Sequence, residues 1–295
     1  MAWFEKGNVR IYYEDVGKGE PIISNHGLAE DCGYWSETGV TAKLAERYRV
    51  ISMDMRGHGR TVVKDEPYGY DADTMAGDFD ALADHLGLDK FHILTHATGG
   101  MVGVRYAMTR SERLISLMLT DTGSETRPIM YDATGRELTE EDRERALQVA
   151  EQAAREAANR PPPTFEERKA WWRANPGVFT FKMAEHPYSD CMFEILDGFY
   201  QRRASQEALA KFRQSFYTDP DPRIEGLRQI KCPTLVLLGE FDIVFIKPSE
   251  LMAKEIPDNR HVVMKGLGHM TAIEAPEWTA SELLDFLETV AKTGR

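Results

Sequence analysis

Apolar residues recur along this chain in two rhythms. Short, nearly unbroken apolar runs occupy residues 21–24 (PIIS), 48–53 (YRVISM), 91–94 (FHIL), 114–120 (LISLMLT), 234–238 (TLVLL) and 261–264 (HVVM). Each is too short for a helix, so together they predict strands buried on both faces, as in a parallel sheet. Residues 9–16 (VRIYYEDV) alternate only in part, because Tyr12 and Tyr13 break the pattern. The Gly17-Lys18-Gly19-Glu20 stretch that follows predicts a hairpin-like turn. Helical spacing fills the gaps: residues 35–44, residues 70–86 with Met75, Phe79, Leu82 and Leu86, the segment carrying Val102, Val104 and Ala107, and residues 277–291 with Leu283, Leu284, Phe286, Leu287 and Val290. Pro276 stands at or near the start of the last of these, where a missing N–H costs nothing.

This alternation stops between about residues 124 and 215. No strand is predicted there, while Thr139 with Asp142 and Thr164 with Glu167 have the spacing of capping-box helix starts, separated by Pro161-Pro162-Pro163. The pattern predicts a helical lid, 124–215, inserted into an α/β core formed by 1–123 and 216–295. The insertion carries Trp171, Trp172, Phe179, Phe181, Met183, Tyr188, Met192, Phe193, Phe199 and Tyr200. Most must form the insertion's own core; collectively they predict an apolar pocket and an uncharged, hydrophobic or aromatic ligand.

Composition narrows the function. The chain has 295 residues, enough for a full core, and a formal net charge of -12 argues against nucleic acid and anionic membrane surfaces as partners. The N-terminal residues lack the basic-then-apolar pattern of a signal peptide, and no apolar run approaches the ~18 residues of a membrane span, so a soluble cytoplasmic protein is expected. Cys32, Cys191 and Cys232 are odd in number and far apart, which predicts buried free thiols and neither a disulfide framework nor a metal site.

The chemistry centres on residues 91–107, FHILTHATGGMVGVRYA. A strand breaks into a helix across Thr95-His96-Ala97-Thr98-Gly99-Gly100, a strand, sharp turn and helix that resemble the nucleophile elbow of α/β-hydrolases, G-x-S-x-G. Two positions depart from that pattern. Ala97 replaces the serine, so the attacking oxygen is missing, and Thr95 replaces the first glycine, which crowds the turn. Alone, such a hexamer also suits an ordinary strand-to-helix connection. Three further signatures follow predicted strands, in the family's order along the chain: His26-Gly27 after residues 21–24, Gly239-Glu240-Phe241-Asp242, and Gly268-His269 leading to Glu274-Ala275-Pro276. Asp54-Met55-Arg56-Gly57-His58-Gly59-Arg60-Thr61 is similar to the family's D-x-R-G-x-G-x-S turn, a structural loop in which His58 is a bystander.

The resemblance implies an α/β-hydrolase fold, with a mostly parallel eight-stranded sheet flanked by helices and a helical lid. It also implies site roles. Ala97 holds the nucleophile position, His269 is the base, and Asp242 is its acid partner, with Asp121 as runner-up. Leu28 and Thr98 supply the oxyanion amides, and Gly27, His96, Trp171, Trp172, Met192 and Met270 are candidate substrate contacts. The parent activity implied is hydrolysis of a small hydrophobic or aromatic ester or lactone, without metal or cofactor, by a monomer or homodimer. Carbon–carbon bond hydrolases share the same residues, whereas epoxide hydrolases and haloalkane dehalogenases need an aspartate at the elbow. Three readings of Ala97 stay open: an inactivating Ser→Ala change, a natural ligand-binding protein, or cofactor-free oxygen chemistry in which His269 acts without a serine.

Overall fold

The parallel strands coincide with the apolar runs, and consecutive residues in them face opposite sides of the sheet. A computed structural model describes residues 2–132, 136–157, 161–202 and 205–293; the outermost residues of the expected core, Met1 and Arg295, lie outside these. Nine strands form one sheet: β1 (Ala2–Lys6), β2 (Val9–Gly17), β3 (Pro21–Asn25), β4 (Arg49–Met53), β5 (Val62–Val63), β6 (Phe91–His96), β7 (Leu114–Thr120), β8 (Thr234–Gly239) and β9 (Asn259–Met264). Their order is β1-β2-β4-β3-β6-β7-β8-β9, with β5 paired to β2. β3, β4 and β6 to β9 run parallel, while β1, β2 and β5 pair antiparallel.

The period-two alternation builds two cores. Ile23, Ile51, Ile93, Leu117 and Val236 face one, and their neighbours Ile22, Val50, Leu94, Met118 and Leu235 face the other. Every residue of β6 and β8 is buried, so neither strand has a solvent-facing side; in β6 the buried set includes His92, Thr95 and His96.

The sheet has nine strands where eight were expected, and two of the nine left no pattern in the sequence. β5 is a two-residue edge pairing too short to leave a pattern. In β1 only Phe4 is buried, so no alternation marks it. The hairpin expected at Gly17–Glu20 is a crossover instead: β2 pairs with β4, and β3 lies on the far side of β4. The glycines there serve close approach, since a Cβ on Gly17 would lie 2.3 Å from the Tyr48 carbonyl oxygen. The helix expected over 35–44 is split into Gly33–Ser36 and Val40–Leu44 around Gly39, whose φ of +85° an α-helix cannot accommodate. The helix expected over 70–86 forms as Ala72–His85, with the Asp71 carboxylate accepting from Thr74 N–H at its start.

Between β7 and β8 the described residues contain helices Glu140–Ala157, Phe165–Ala174, Phe181–Glu185, Ser189–Arg202, Gln206–Phe216 and Ile224–Leu227, with one isolated bridge between Tyr131 and Glu137. Both capping boxes form: Thr139 with Asp142, and Thr164 with Glu167. This block is fastened to the sheet layer by Arg202, which donates to the Asp31 carboxylate at 2.8 and 3.2 Å and pairs with Glu37. Met183, Met192 and Phe199 pack with Tyr34 and Trp35 beneath it. Cys32 and Cys232 are buried, but Cys191 is exposed, because it lies on the outer face of Ser189–Arg202.

Candidate active site

β6 delivers its last residue, His96, in an extended conformation, and Ala97 then turns with φ +46° before the helix Ala97–Arg110 begins. A left-handed non-glycine residue costs roughly 1–2 kcal/mol, so the surroundings must enforce it. They do so by close packing: a Cβ on Gly99 would lie 2.5 Å from the His26 carbonyl oxygen, and one on Gly100 would lie 2.5 Å from Thr122. The Gly99 N–H donates to that His26 oxygen at 3.0 Å, pressing the loop that carries Gly27 and Leu28 against the first turn of the elbow helix. First-turn amides have no acceptor within their own helix, and Thr98 N–H is one of them. Thr95 is accommodated because Gly103 stands opposite, where a Cβ would lie 3.2 Å from the threonine side chain.

Asp242 and His269 arrive from the ends of β8 and β9. His269 Nδ1–H donates to Asp242 Oδ2 at 2.8 Å, and both side chains are buried. The imidazole is held by rings on three sides: Phe179 at 4.5 Å, His96 at 5.0 Å and Phe245 at 5.4 Å between centroids. His96 immediately precedes Ala97, so the His269 ring stands beside the elbow. Ala97 is 7% exposed and His269 4%, and Phe179, from between β7 and β8, packs on the His269 ring.

Gly239 is the tightest point of this assembly. A Cβ there would sit 1.9 Å from the Gly268 carbonyl oxygen and 2.6 Å from that of Leu267, both backbone atoms of the histidine loop. Gly239→Ala is therefore expected to lower stability by about 3 kcal/mol through overpacking, read as a drop in the urea midpoint; an unchanged midpoint would show that the loop yields freely.

The remaining candidates separate clearly. Asp121 does not reach His269: its carboxylate accepts from Gly239 N–H at 3.1 Å and from Thr271 Oγ1–H at 2.5 Å. His96, expected to touch substrate, is fully buried and stacked on Tyr34 at 4.0 Å, because the residue before the turn points back into the protein. Trp171 is 61% exposed, while Trp172 stacks on Phe193. Adjacent residues on a helix diverge by about 100°, so one tryptophan packs inward and the other meets solvent. Met192 and Met270 are buried in one cluster with Tyr34 and Trp35. Gly27 is held by the Glu30 carboxylate, which accepts its N–H at 2.6 Å.

Two contributors left no signal in the sequence. The Tyr217 hydroxyl lies 2.6 Å from Thr98 Oγ1, and burial pushes the phenol up to about 12. Phe245 stacks on the His269 imidazole. The turn after β4 is structural as expected: Asp54 accepts from Cys32 and Arg60 amides, and Arg56 donates twice to Asp78. His58 is buried there, and burial lowers it to about 3. Asp31, Cys32 and Asp54 are close enough to share an ion. Yet Asp31 is paired with Arg202, Asp54 is spent on amides, and burial drives the Cys32 thiol far up, so the cluster fits hydrogen-bonded structure rather than a metal.

The family model for the alpha/beta hydrolase fold matches residues 20–170. This chain belongs to the α/β-hydrolase family. The α/β-hydrolase match extends to whole proteins. A non-heme haloperoxidase of Rhodococcus erythropolis is 25% identical over 294 residues, 95% of this chain and 96% of that protein. A thermophilic esterase of Thermogutta terrifontis is 28% identical with a TM-score of 0.71, covering 96% of this chain and 94% of that one. The enol-lactonase of Burkholderia xenovorans LB400 shares the fold at 19% identity, TM-score 0.68, with 97% and 100% coverage. Among the described residues no helix is long and apolar enough to cross a membrane.

Proposed function

We propose that the site is that of a serine hydrolase for a small hydrophobic or aromatic carboxylic ester or lactone, lacking its nucleophilic oxygen at Ala97. The observation that carries this reading is the buried 2.8 Å His269–Asp242 contact beside a residue held at φ +46°. A dyad of that kind activates a hydroxyl, and the elbow is the place where such a hydroxyl is presented. Similarity to an esterase and to an enol-lactonase supports the acyl-transfer reading.

In the proposed reaction a serine at position 97 attacks the carbonyl carbon while His269 takes its proton. Asp242 stabilises the resulting imidazolium. The amides of Leu28 and Thr98 bind the oxyanion. His269 then returns the proton to the leaving alcohol, and water repeats the sequence on the acyl-enzyme. Phe245, stacked on His269, gives an apolar wall and Phe179 an apolar cover, suited to a hydrophobic acyl or alkoxy group. The insertion 124–215 acts as the lid. In the present chain the same walls and amides bind the ester without cleaving it.

Labelling tests the assignment. The Ala97→Ser protein is expected to react covalently with a fluorophosphonate, and the present chain is not. A folded, unlabelled serine variant removes the hydrolase reading. Oxygen uptake by the present chain that vanishes in His269→Ala would replace it with base chemistry that needs no serine.

A further inference from the structure

Beneath the elbow lies a set of buried ionisable side chains that hydrolysis does not use. His96 Nε2 stands 3.4 Å from Glu30 Oε1, and its Nδ1 is 3.5 Å from Asp121 Oδ2 and 3.3 Å from Thr120 Oγ1. All of these side chains are buried. The two carboxylates grip other parts of the site: Glu30 accepts from Gly27 N–H, and Asp121 accepts from Gly239 N–H and Thr271 Oγ1–H. Those contacts reach four separate segments. Gly27 precedes Leu28, His96 precedes Ala97, Gly239 opens the loop of Asp242, and Thr271 lies two residues beyond His269.

We propose that Glu30, His96 and Asp121 form one buried ionic strut, with His96 as an imidazolium, and that they are positioning residues which hold the four site loops in register and set the proton affinity of His269. The distances favour protonation. Each ring nitrogen has a carboxylate oxygen within 3.5 Å, although Nε2 makes no hydrogen bond and Nδ1 also meets Thr120 Oγ1, and a neutral imidazole would leave a lone pair beside one of the two carboxylates. Burial opposes the charge, but Glu30 and Asp121 outweigh it and raise the His96 pKa to about 9. Other groups facing the strut are Tyr34, stacked on His96, Tyr217 near Glu30, and Asp242, Glu274 and His269 near Asp121. Glu274 accepts from Gly268 and Met270 amides, so it fixes the histidine loop from the other side.

This inference rests on His269 being the base, but its test needs no hydrolysis. Imidazole NMR of the present chain, with His96 and His269 assigned from H96Q and H269N or by backbone-to-ring correlation, follows both rings through pH. His96 is expected to stay imidazolium through pH 8. Removing its charge in H96Q should raise the His269 midpoint by about one pH unit, and D121N should lower it by a similar amount. A strut that only fills space moves neither. If H96Q fails to fold, D121N and E30Q carry the test, each lowering the His96 midpoint. A neutral His96 at pH 7, or a His269 midpoint unchanged in the folded charge variants, overturns the proposal. Failure of the hydrolase reading is seen separately, in the unlabelled Ala97→Ser protein.

Discussion

Serine at position 97 is expected to raise ester turnover by about a million-fold over the present chain. The expectation is this large because the change adds one oxygen and asks nothing else of the protein. The backbone at position 97 already holds the left-handed turn at φ +46°, and Gly99 and Gly100 already leave room for the helix to start there. His269 is already oriented by Asp242 at 2.8 Å. Without the oxygen, only binding and the two amides can act. Stopped-flow measurement with a p-nitrophenyl ester should show a burst equal to the enzyme concentration, followed by slower deacylation. Turnover within tenfold of the alanine chain, from a serine variant with native spectra, would mean that the dyad is not aimed at this position.

The second large effect concerns the acid. In the Ala97→Ser background, Asp242→Asn should cut kcat by about ten-thousand-fold with KM nearly unchanged. The asparagine amide would turn its donor toward Nδ1, invert the tautomer of His269 and leave the imidazolium without a counter-charge. Asp121→Asn should cost much less in kcat, since Asp121 is occupied by Gly239 and Thr271. Steady-state kinetics of the two variants side by side assign the acid; comparable losses would mean that Asp121 shares the role.

Most of the framework was legible because the signals were local. β8 is buried on both faces and reads as an apolar run, β6 opens on the largely apolar Phe91–Leu94, and the glycines at 99 and 100 leave no room for a side chain. What escaped depended on distant partners. β1 buries only Phe4, and its place follows from pairing with β2. The stretch Gly17–Glu20 has turn chemistry, but its direction is set by which strand lies next to β4. His96 looked like a substrate contact because it neighbours the turn. Its burial follows from the place of β6 inside the sheet, where both faces are covered and Tyr34 stacks on the ring. Tyr217 and Phe245 are ordinary aromatic residues in sequence and matter only because the chain brings them to Thr98 and His269. The two tryptophans of Phe165–Ala174 show the opposite error, since bulk and apolarity did not place Trp171 inside.

Phe179 resting on the imidazole has a consequence for measured affinities. If the proposed hydrolase admits its guest past that ring, it is competent only in the fraction of molecules where Phe179 stands aside, and the observed dissociation constant is the intrinsic one divided by that fraction. Trimming Phe179 to a smaller side chain would then tighten small ligands and loosen large ones, the signature of a door rather than a wall.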